Sequence, residues 1–528
     1  MGITETFKSL FFSARAQGSL TLTVLFTLTI VFTGWYLVTS VSLYLSRRQF
    51  RALNGCQSVT NQYPSKWFGI NFILDASRSH GERRYLDALT DNFRRIGYTH
   101  EVRALGGTSI WTVEPENIKA VLTTKFKDFS LGNRPAVMGP LLGRGVFVTD
   151  GEEWSHSRAL LRPNFAKEQV ADLSMIERHM QQMLKNIPDD GNTIDLMDSI
   201  LGFTLDSSTE FLFGESTETL VGRTNRKFSE AFKYSLNDIS LGLRLGPWHK
   251  FRRTDPKAVE SHRICREYAD KYVDQAVEYR EKHFQAIESG VSPTVSSDNA
   301  ERRTFLKELA MATGHREKLR DELLSLLLAG RDTTASLISS LLFSLTRNPE
   351  AWSKVKAEVQ QTLRGELPTY EQLRDLKYAK RCVNETLRLY PPVPNNAKIA
   401  IRDTVLPRGG GPDGTAPILV PKDAPVIFTV YSMHRRYDIF GEDAEIFRPE
   451  RWENQKYSWE YLPFNGGPRI CLGQQYALTE TLYVLVRFAQ EFEKIELMDP
   501  EPWTESLHLT VSSANGLKVK LQRSKFQN

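Results

Sequence analysis

Cysteine is scarce in this chain: Cys56, Cys265, Cys382 and Cys471 are the only four in 528 residues, far apart and with no CxxC pair. That spacing excludes a zinc ribbon and offers no evident disulfide framework, and sparse unpaired thiols suit a reducing compartment. Charge of one sign is lacking too. The 68 basic and 63 acidic residues are mixed along the chain for a net charge of +5, so no basic element of the kind that binds nucleic acid stands out. After residue 70 no internal repeat, low-complexity tract or Pro/Ser-rich linker divides the chain, although length alone would suggest about three domains. With 41% hydrophobic residues it can instead bury one large core. The one long polar stretch, Glu288 to Arg303, reads as an exposed loop. Leu406 to Pro421 reads as two short strands joined by a glycine-rich hairpin. A phosphate loop is excluded there, because the Lys-Ser/Thr it needs is missing.

Charge is absent altogether from Ala16 to Ser46. The segment Leu20 to Leu45, rich in Leu, Val, Phe, Ile and Thr, exceeds the roughly 20 residues that cross a hydrocarbon core. A cleaved signal peptide is the competing reading, but its apolar part would run only about 7 to 15 residues and end at small ones. Arg47, Arg48 and Arg51 follow the span, against Lys8 and Arg15 before it, a bias that puts the body of the protein in the cytosol. The expected organisation is a short lumenal segment at 1–18, a transmembrane helix at 19–45, a basic juxtamembrane linker at 46–65 and a catalytic domain at 66–528.

Four strings carry chemistry. FNGGPRICLG, Phe464 to Gly473, has the make-up of a loop that offers one thiolate to a metal needing a single protein ligand on that side. Haem iron is such a metal, and a thiolate there favours O–O cleavage. Gly466 and Gly467 permit positive φ, so that backbone N–H groups can turn toward the sulfur; Gly473 admits the following helix closely, and Phe464 can pack against the ring. A buried structural cysteine is the plain alternative for Cys471. RCVNETLRLY, Arg381 to Tyr390, is a predicted helix ended by Pro391 and Pro392, with Glu385 and Arg388 on one face. An Asn384-Glu385-Thr386 sequon inside that helix is discounted. LLAGRDTTA, Leu327 to Ala335, sits in a helix apolar nearly all round, where Gly330, Asp332 and Thr333 are poor helix choices and so mark function. The hydroxyl of Thr333 can bond its own helix or a ligand beside it, opening a small polar notch and locally widening the turn. GEEWSHSRALLRPNF places Trp154 and Arg158 one helical turn apart.

Together these strings resemble the cytochrome P-450 family over about residues 65 to 525. With VYSMHRR, GEDAEIFRPERW and the glycine-rich hairpin, they look closest to the membrane-bound fungal members that hydroxylate n-alkanes and fatty acids at or near the chain terminus. The resemblance implies a mainly α fold with small β-sheets, preceded by one transmembrane helix. It implies haem b between the helix of Thr333 and the loop of Cys471, with Cys471 as axial iron ligand. Asp332 would bring in protons and Thr333 position them. Trp154, Arg158, Arg469 and Lys398 would hold the haem propionates, Lys398 replacing the more usual arginine, while Phe464 and Gly473 flank the ligand. Glu385, Arg388 and Arg451 would close a structural triad. His434, another conceivable axial ligand, is read as structural, since six-coordinate iron has no place for O2. The matching substrate segments supply Phe147, Leu327, Val393, Leu507, Leu509 and Val511, with Arg134 and Lys398 as candidate carboxylate contacts.

The implied activity is a monooxygenase: RH and O2, with two NADPH-derived electrons and two protons, give ROH and water. Residues 474–528 hold no flavin domain or GxGxxG unit, so electrons must come from a partner, implied to be the membrane-bound NADPH-cytochrome P-450 reductase carrying FAD and FMN. The implied setting is single-pass in the endoplasmic reticulum membrane, in contact with lipid, with a long apolar small molecule as substrate and no nucleic acid. Alternatives remain at this level: an oxygenase of a fungal secondary-metabolite pathway acting on a lipid-like intermediate, a haem-thiolate isomerase or dehydratase, and a membrane-anchored haem sensor or electron carrier.

Overall fold

The structure, a computed structural model, describes residues 3–165, 172–188, 191–222, 226–289 and 304–524, with side chains from Leu25 onward. Most of the predicted loop Glu288 to Arg303 lies outside the described residues. The chain forms two compact units, residues 1–60 with 405–420, and residues 61–404 with 421–528.

In the first unit, helix α1 (Ile3–Leu53) is continuous. It starts before residue 19 and runs past residue 45, so the helix is longer than the stretch expected to cross the membrane. Arg47, Arg48 and Arg51 are good helix formers, so the helix stops only at Asn54 and Gly55, where Gly55 takes φ 63. The expected linker is therefore helical to Leu53. Beyond it the chain is tied to the glycine-rich hairpin of Thr404–Gly410 and Ala416–Val420. The Gln57 N–H donates to the Pro417 carbonyl at 2.8 Å, the Gly411 N–H donates to the Ser58 carbonyl at 3.1 Å, and Val59 bridges Gly410. Within α1, Leu25–Leu53 is long and apolar enough to cross a membrane, and its large apolar side chains are exposed.

The second unit is built around long helices: α2 (Ile70–Gly81), α3 (Tyr85–Ile96), α4 (Arg134–Leu142), α5 (Gly151–Leu161), α6 (Leu196–Phe213), α7 (Arg226–Arg244), α8 (Pro256–Glu288), α9 (Arg316–Thr346), α10 (Lys377–Leu389) and α11 (Gln474–Glu491). A five-stranded mixed sheet has the order β1-β2-β5-β4-β3, from β1 (Thr99–Ala104), β2 (Gly107–Thr112), β3 (Phe129–Ser130), β4 (Asn395–Ala400) and β5 (Pro425–Thr429). Only the β2/β5 pair is parallel. A small antiparallel pair, β6 (Glu505–Leu507) and β7 (Val511–Ser513), packs on α9, where Ser336 Oγ donates to the Val511 carbonyl at 2.6 Å.

Helix α9 crosses the centre and packs against α6, α8, α10 and α11. From Leu319 to Thr346 every residue is buried except Ala329, Gly330, Asp332 and Thr333. Those four share one face, so a helix otherwise sealed on all sides opens at a single place. There Gly330 admits α6: a Cβ at that position would lie 3.1 Å from Ser208 Oγ. The helix stays α-helical through this stretch, so the local widening expected from Thr333 does not occur.

Candidate functional site

The segment Phe464–Gly473 turns through two left-handed residues, Asn465 (φ 64) and Gly467 (φ 67). Gly466 is extended at φ −148, which corrects the expectation of positive φ there. Gly467 is required twice over, since a Cβ would lie 2.1 Å from the Leu122 carbonyl oxygen. The Cys471 N–H closes the loop on the Phe464 carbonyl at 3.0 Å. Phe464 itself packs into the hydrophobic core beside α9 and α11. Directly after the cysteine, α11 begins at Gln474, and the Gly473 N–H donates to the Cys471 sulfur. Gly473 has φ −82, and only a Phe165 carbon, at 3.7 Å, would meet a Cβ there. Its visible contribution is the N–H donor.

Cys471 presents accessible surface although protein surrounds it, which is what a sulfur facing an internal hollow shows. Burial pushes its thiol up, while the Gly473 N–H and the Arg158 guanidinium draw it down toward thiolate.

Four basic side chains gather here, with Arg158 acting directly on the sulfur. Lys398 on β4 is 4% exposed, and burial, then Arg134 and Arg469, push its amine down to about 6. Burial also lowers Arg134, Arg158 and Arg469, the last to about 10. Against them stands Asp150, whose carboxylate accepts from Arg469 Nη2 at 2.7 Å and from the Leu131 N–H at 2.8 Å. The Arg469 guanidinium also stacks over Trp154, 4.3 Å from the ring centroid, and Arg134 donates to Asn396 Oδ1 at 2.7 Å. Neither the Lys398 amine nor the Arg158 guanidinium has a hydrogen bond or ion pair among the described residues. Buried charge of one sign is costly unless an anion answers it. Four basic side chains around one carboxylate, beside an accessible thiol, fit a haem whose two propionates would supply the missing negative charge and whose iron would take one sulfur ligand. Arg134 thus stands beside Lys398 and Arg469, and Asp150 escaped sequence reading because it looks only like the residue ahead of α5.

On the notch of α9, Thr333 Oγ1 donates to the Ala329 carbonyl at 2.5 Å, within its own helix. Asp332 lies 3.1 Å from Arg331 Nη1. Glu385, Arg388 and Arg451 are brought together in the core: Arg388 grips Glu385 through two bonds of 2.9 and 2.8 Å, and Arg451 Nε reaches it at 3.3 Å. Trp452 Nε1 and the Arg448 N–H, both at 3.0 Å, complete the acceptor set of Glu385. His434 is fully buried and joins these segments: its Nδ1 meets the Arg388 carbonyl at 3.2 Å and its Nε2 accepts from the Leu462 N–H at 2.9 Å. Burial pushes its imidazole down to about 3, so it is neutral, with both nitrogens engaged.

The six expected pocket residues do not form one set. Phe147 and Leu509 are half-buried against one core cluster and Leu507 against another, while Val393 is exposed. Leu327 and Val511 are 0% and 1% exposed, sealed into the core, so neither offers the open wall expected of it.

A family profile for cytochrome P450 matches residues 64–521. The chain is 77% identical to the cytochrome P450 monooxygenase fsdH of Fusarium heterosporum, over 96% of this chain and 90% of that one. It is 55% identical to the cytochrome P450 monooxygenase himC of Aspergillus japonicus, over 92% and 88%, and 39% identical to cytochrome P450 52A5 of Candida maltosa, over 93% and 97%.

Proposed function

This chain belongs to the cytochrome P450 family and is a haem b monooxygenase supplied with electrons by a redox partner, and from that premise we propose that it hydroxylates a long, largely apolar chain at or near its end. One observation carries the reading: in a central helix otherwise sealed, only Ala329, Gly330, Asp332 and Thr333 are open. An apolar opening with one hydroxyl and one carboxylate suits C–H oxidation, where the protein binds hydrocarbon and handles protons.

Cys471 would hold the haem iron through its sulfur; burial raises its thiol, and the Gly473 N–H and Arg158 oppose that rise. Lys398, Arg469, Arg158 and Arg134 would hold the haem propionates, with Trp154 fixing the plane of Arg469. Bound there, haem supplies the centre at which O2 is activated. Asp332 takes protons from solvent and Thr333 holds them at the notch, turning its hydroxyl from the Ala329 carbonyl. Half-buried Phe147 and Leu509, packed against the same core cluster, offer apolar surface to the chain, and positioning against that surface decides which carbon reacts. Glu385, Arg388 and Arg451 lock the segments around the cysteine loop.

Leu25–Leu53 anchors the chain in the endoplasmic reticulum membrane with the catalytic body in the cytosol, where an NADPH-cytochrome P450 reductase carrying FAD and FMN reaches it. Long fatty acids or n-alkanes are the substrates favoured by the likeness to the 52A series. Greater identity to fsdH and himC than to 52A5 favours a second reading, a lipid-like intermediate of a fungal secondary-metabolite pathway. The products formed by the reductase-reconstituted enzyme from a series of alkanes and fatty acids test the first reading. Terminal or next-to-terminal alcohols support it, and turnover of rigid polycyclic compounds alone overturns it.

A further inference from the structure

With Arg134 and Lys398 committed beside Arg469, a negatively charged end of a substrate needs another cation. One stands where three elements meet. Arg244, the last residue of α7, contacts His80 Nε2 near the end of α2, donates to Ser240 Oγ at 2.9 Å, and donates to the Leu507 carbonyl at 3.1 Å at the turn between β6 and β7. His508 follows on that turn. Burial together with the Arg244 charge pushes both His80 and His508 down, and Lys233 of α7 adds to the effect on His508.

No carboxylate pairs with Arg244 among the described residues. Glu505, on the adjoining strand, spends its oxygens on the N–H groups of Tyr85 at 2.7 Å and Leu86 at 2.9 Å. The other acid near the turn is Asp332 of the notch, which acts on His508 from α9 while held beside Arg331. His508 therefore feels Arg244 on one side and the notch on the other. Between them the turn carries Leu507 and Leu509, both half-buried.

We propose that Arg244, with His80 and His508, binds the anionic head group of the substrate, a carboxylate or another delocalised oxyanion, while its apolar chain runs past Leu507 and Leu509 to the notch. This deepens the substrate reading above and rests on it. The Arg244 Nε hydrogen and one Nη1 hydrogen are not used by His80, Ser240 or Leu507 and can donate to such a group with the help of the charge. Its bonds to Ser240 and Leu507 hold the fork in place before substrate arrives.

The test uses the full-length holoenzyme in nanodiscs of neutral lipid, titrated with lauric acid and with 1-dodecanol, binding being read from the haem spin-state change. Wild type is expected to hold the acid about tenfold more tightly than the alcohol, and Arg244→Ala to lose that preference, a factor set by one charge-assisted hydrogen bond. Arg244→Lys should recover part of it. A purely structural loss would weaken both ligands alike, so equal weakening, or an unchanged preference, overturns the proposal. So does an Arg244→Ala defect confined to nanodiscs of anionic lipid, which would mark a lipid headgroup site instead. If wild type binds acid and alcohol equally, the head-group site falls and the apolar-chain reading stands; if it binds neither, that reading falls as well.

Discussion

Glu480 shows how one buried group records its surroundings. It lies on α11 and is fully buried, with Ser207 of α6 donating to its carboxyl. Burial raises it from 4.5 to about 8. Between those values the folded chain keeps a proton that the unfolded chain has released, so stability falls as pH rises toward 8, by up to ~1.4 kcal/mol per pH unit, and levels off above. Glu480→Gln preserves the neutral shape and removes the effect. From pH 6 to pH 8 the variant should lose about 2 kcal/mol less stability than wild type in urea unfolding. A variant that tracks wild type across that range would show that Glu480 is ionised in the fold. Nothing in the sequence singled out Glu480, since its environment is assembled from two helices. The cations at positions 134, 158, 398 and 469 were each named from the sequence through the family resemblance, but their convergence around Asp150 had no local signal. Trp154 and Arg158 were legible as a helical pair, but the stacking of Arg469 on Trp154 and its bond to Asp150 join segments with no local signal.

At the scale of elements, helices announced themselves best. Glu385 and Arg388 could be placed on one face of α10 from their spacing, and Pro391 and Pro392 marked where it ends. The centre of α9 was readable because Gly330 and Thr333 broke the rules of a buried helix, and those positions are among the four left open. What spacing could not give was the burial of the triad. Glu385 and Arg388 are 0% exposed and between them bond His434, Ala444, Ile446, Arg448, Arg451 and Trp452. Removing one partner of such a pair leaves an uncompensated buried charge and costs about 3–5 kcal/mol. Glu385→Ala should therefore accumulate as protein without haem, read as the ratio of haem absorbance to total polypeptide. A fully loaded, stable variant would contradict a locking role. Loop geometry was the least legible: Asn465, not Gly466, takes the left-handed turn, because Gly466 is held extended with Trp459 2.9 Å from any Cβ.

For the whole molecule, composition indicated a single large core and an apolar N-terminus, and the fold adds that the chain just after α1 pairs with a hairpin more than 340 residues away in sequence. That pairing was invisible to local reading. It also sets where the chain can be cut. Deleting residues 1–53 removes α1 and keeps Gln57 to Thr60 against the hairpin, so the product should leave the carbonate-resistant membrane pellet with its haem spectrum intact. Retention in the pellet would show that another surface anchors the protein. Every part of the account meets at Cys471, and the most direct measurement is the Soret band of the reduced carbonyl complex in wild type and in Cys471→His. Wild type should show the red-shifted band of thiolate ligation, and the variant should lose that band together with monooxygenase activity. A variant that keeps both would contradict cysteine ligation and the function built on it.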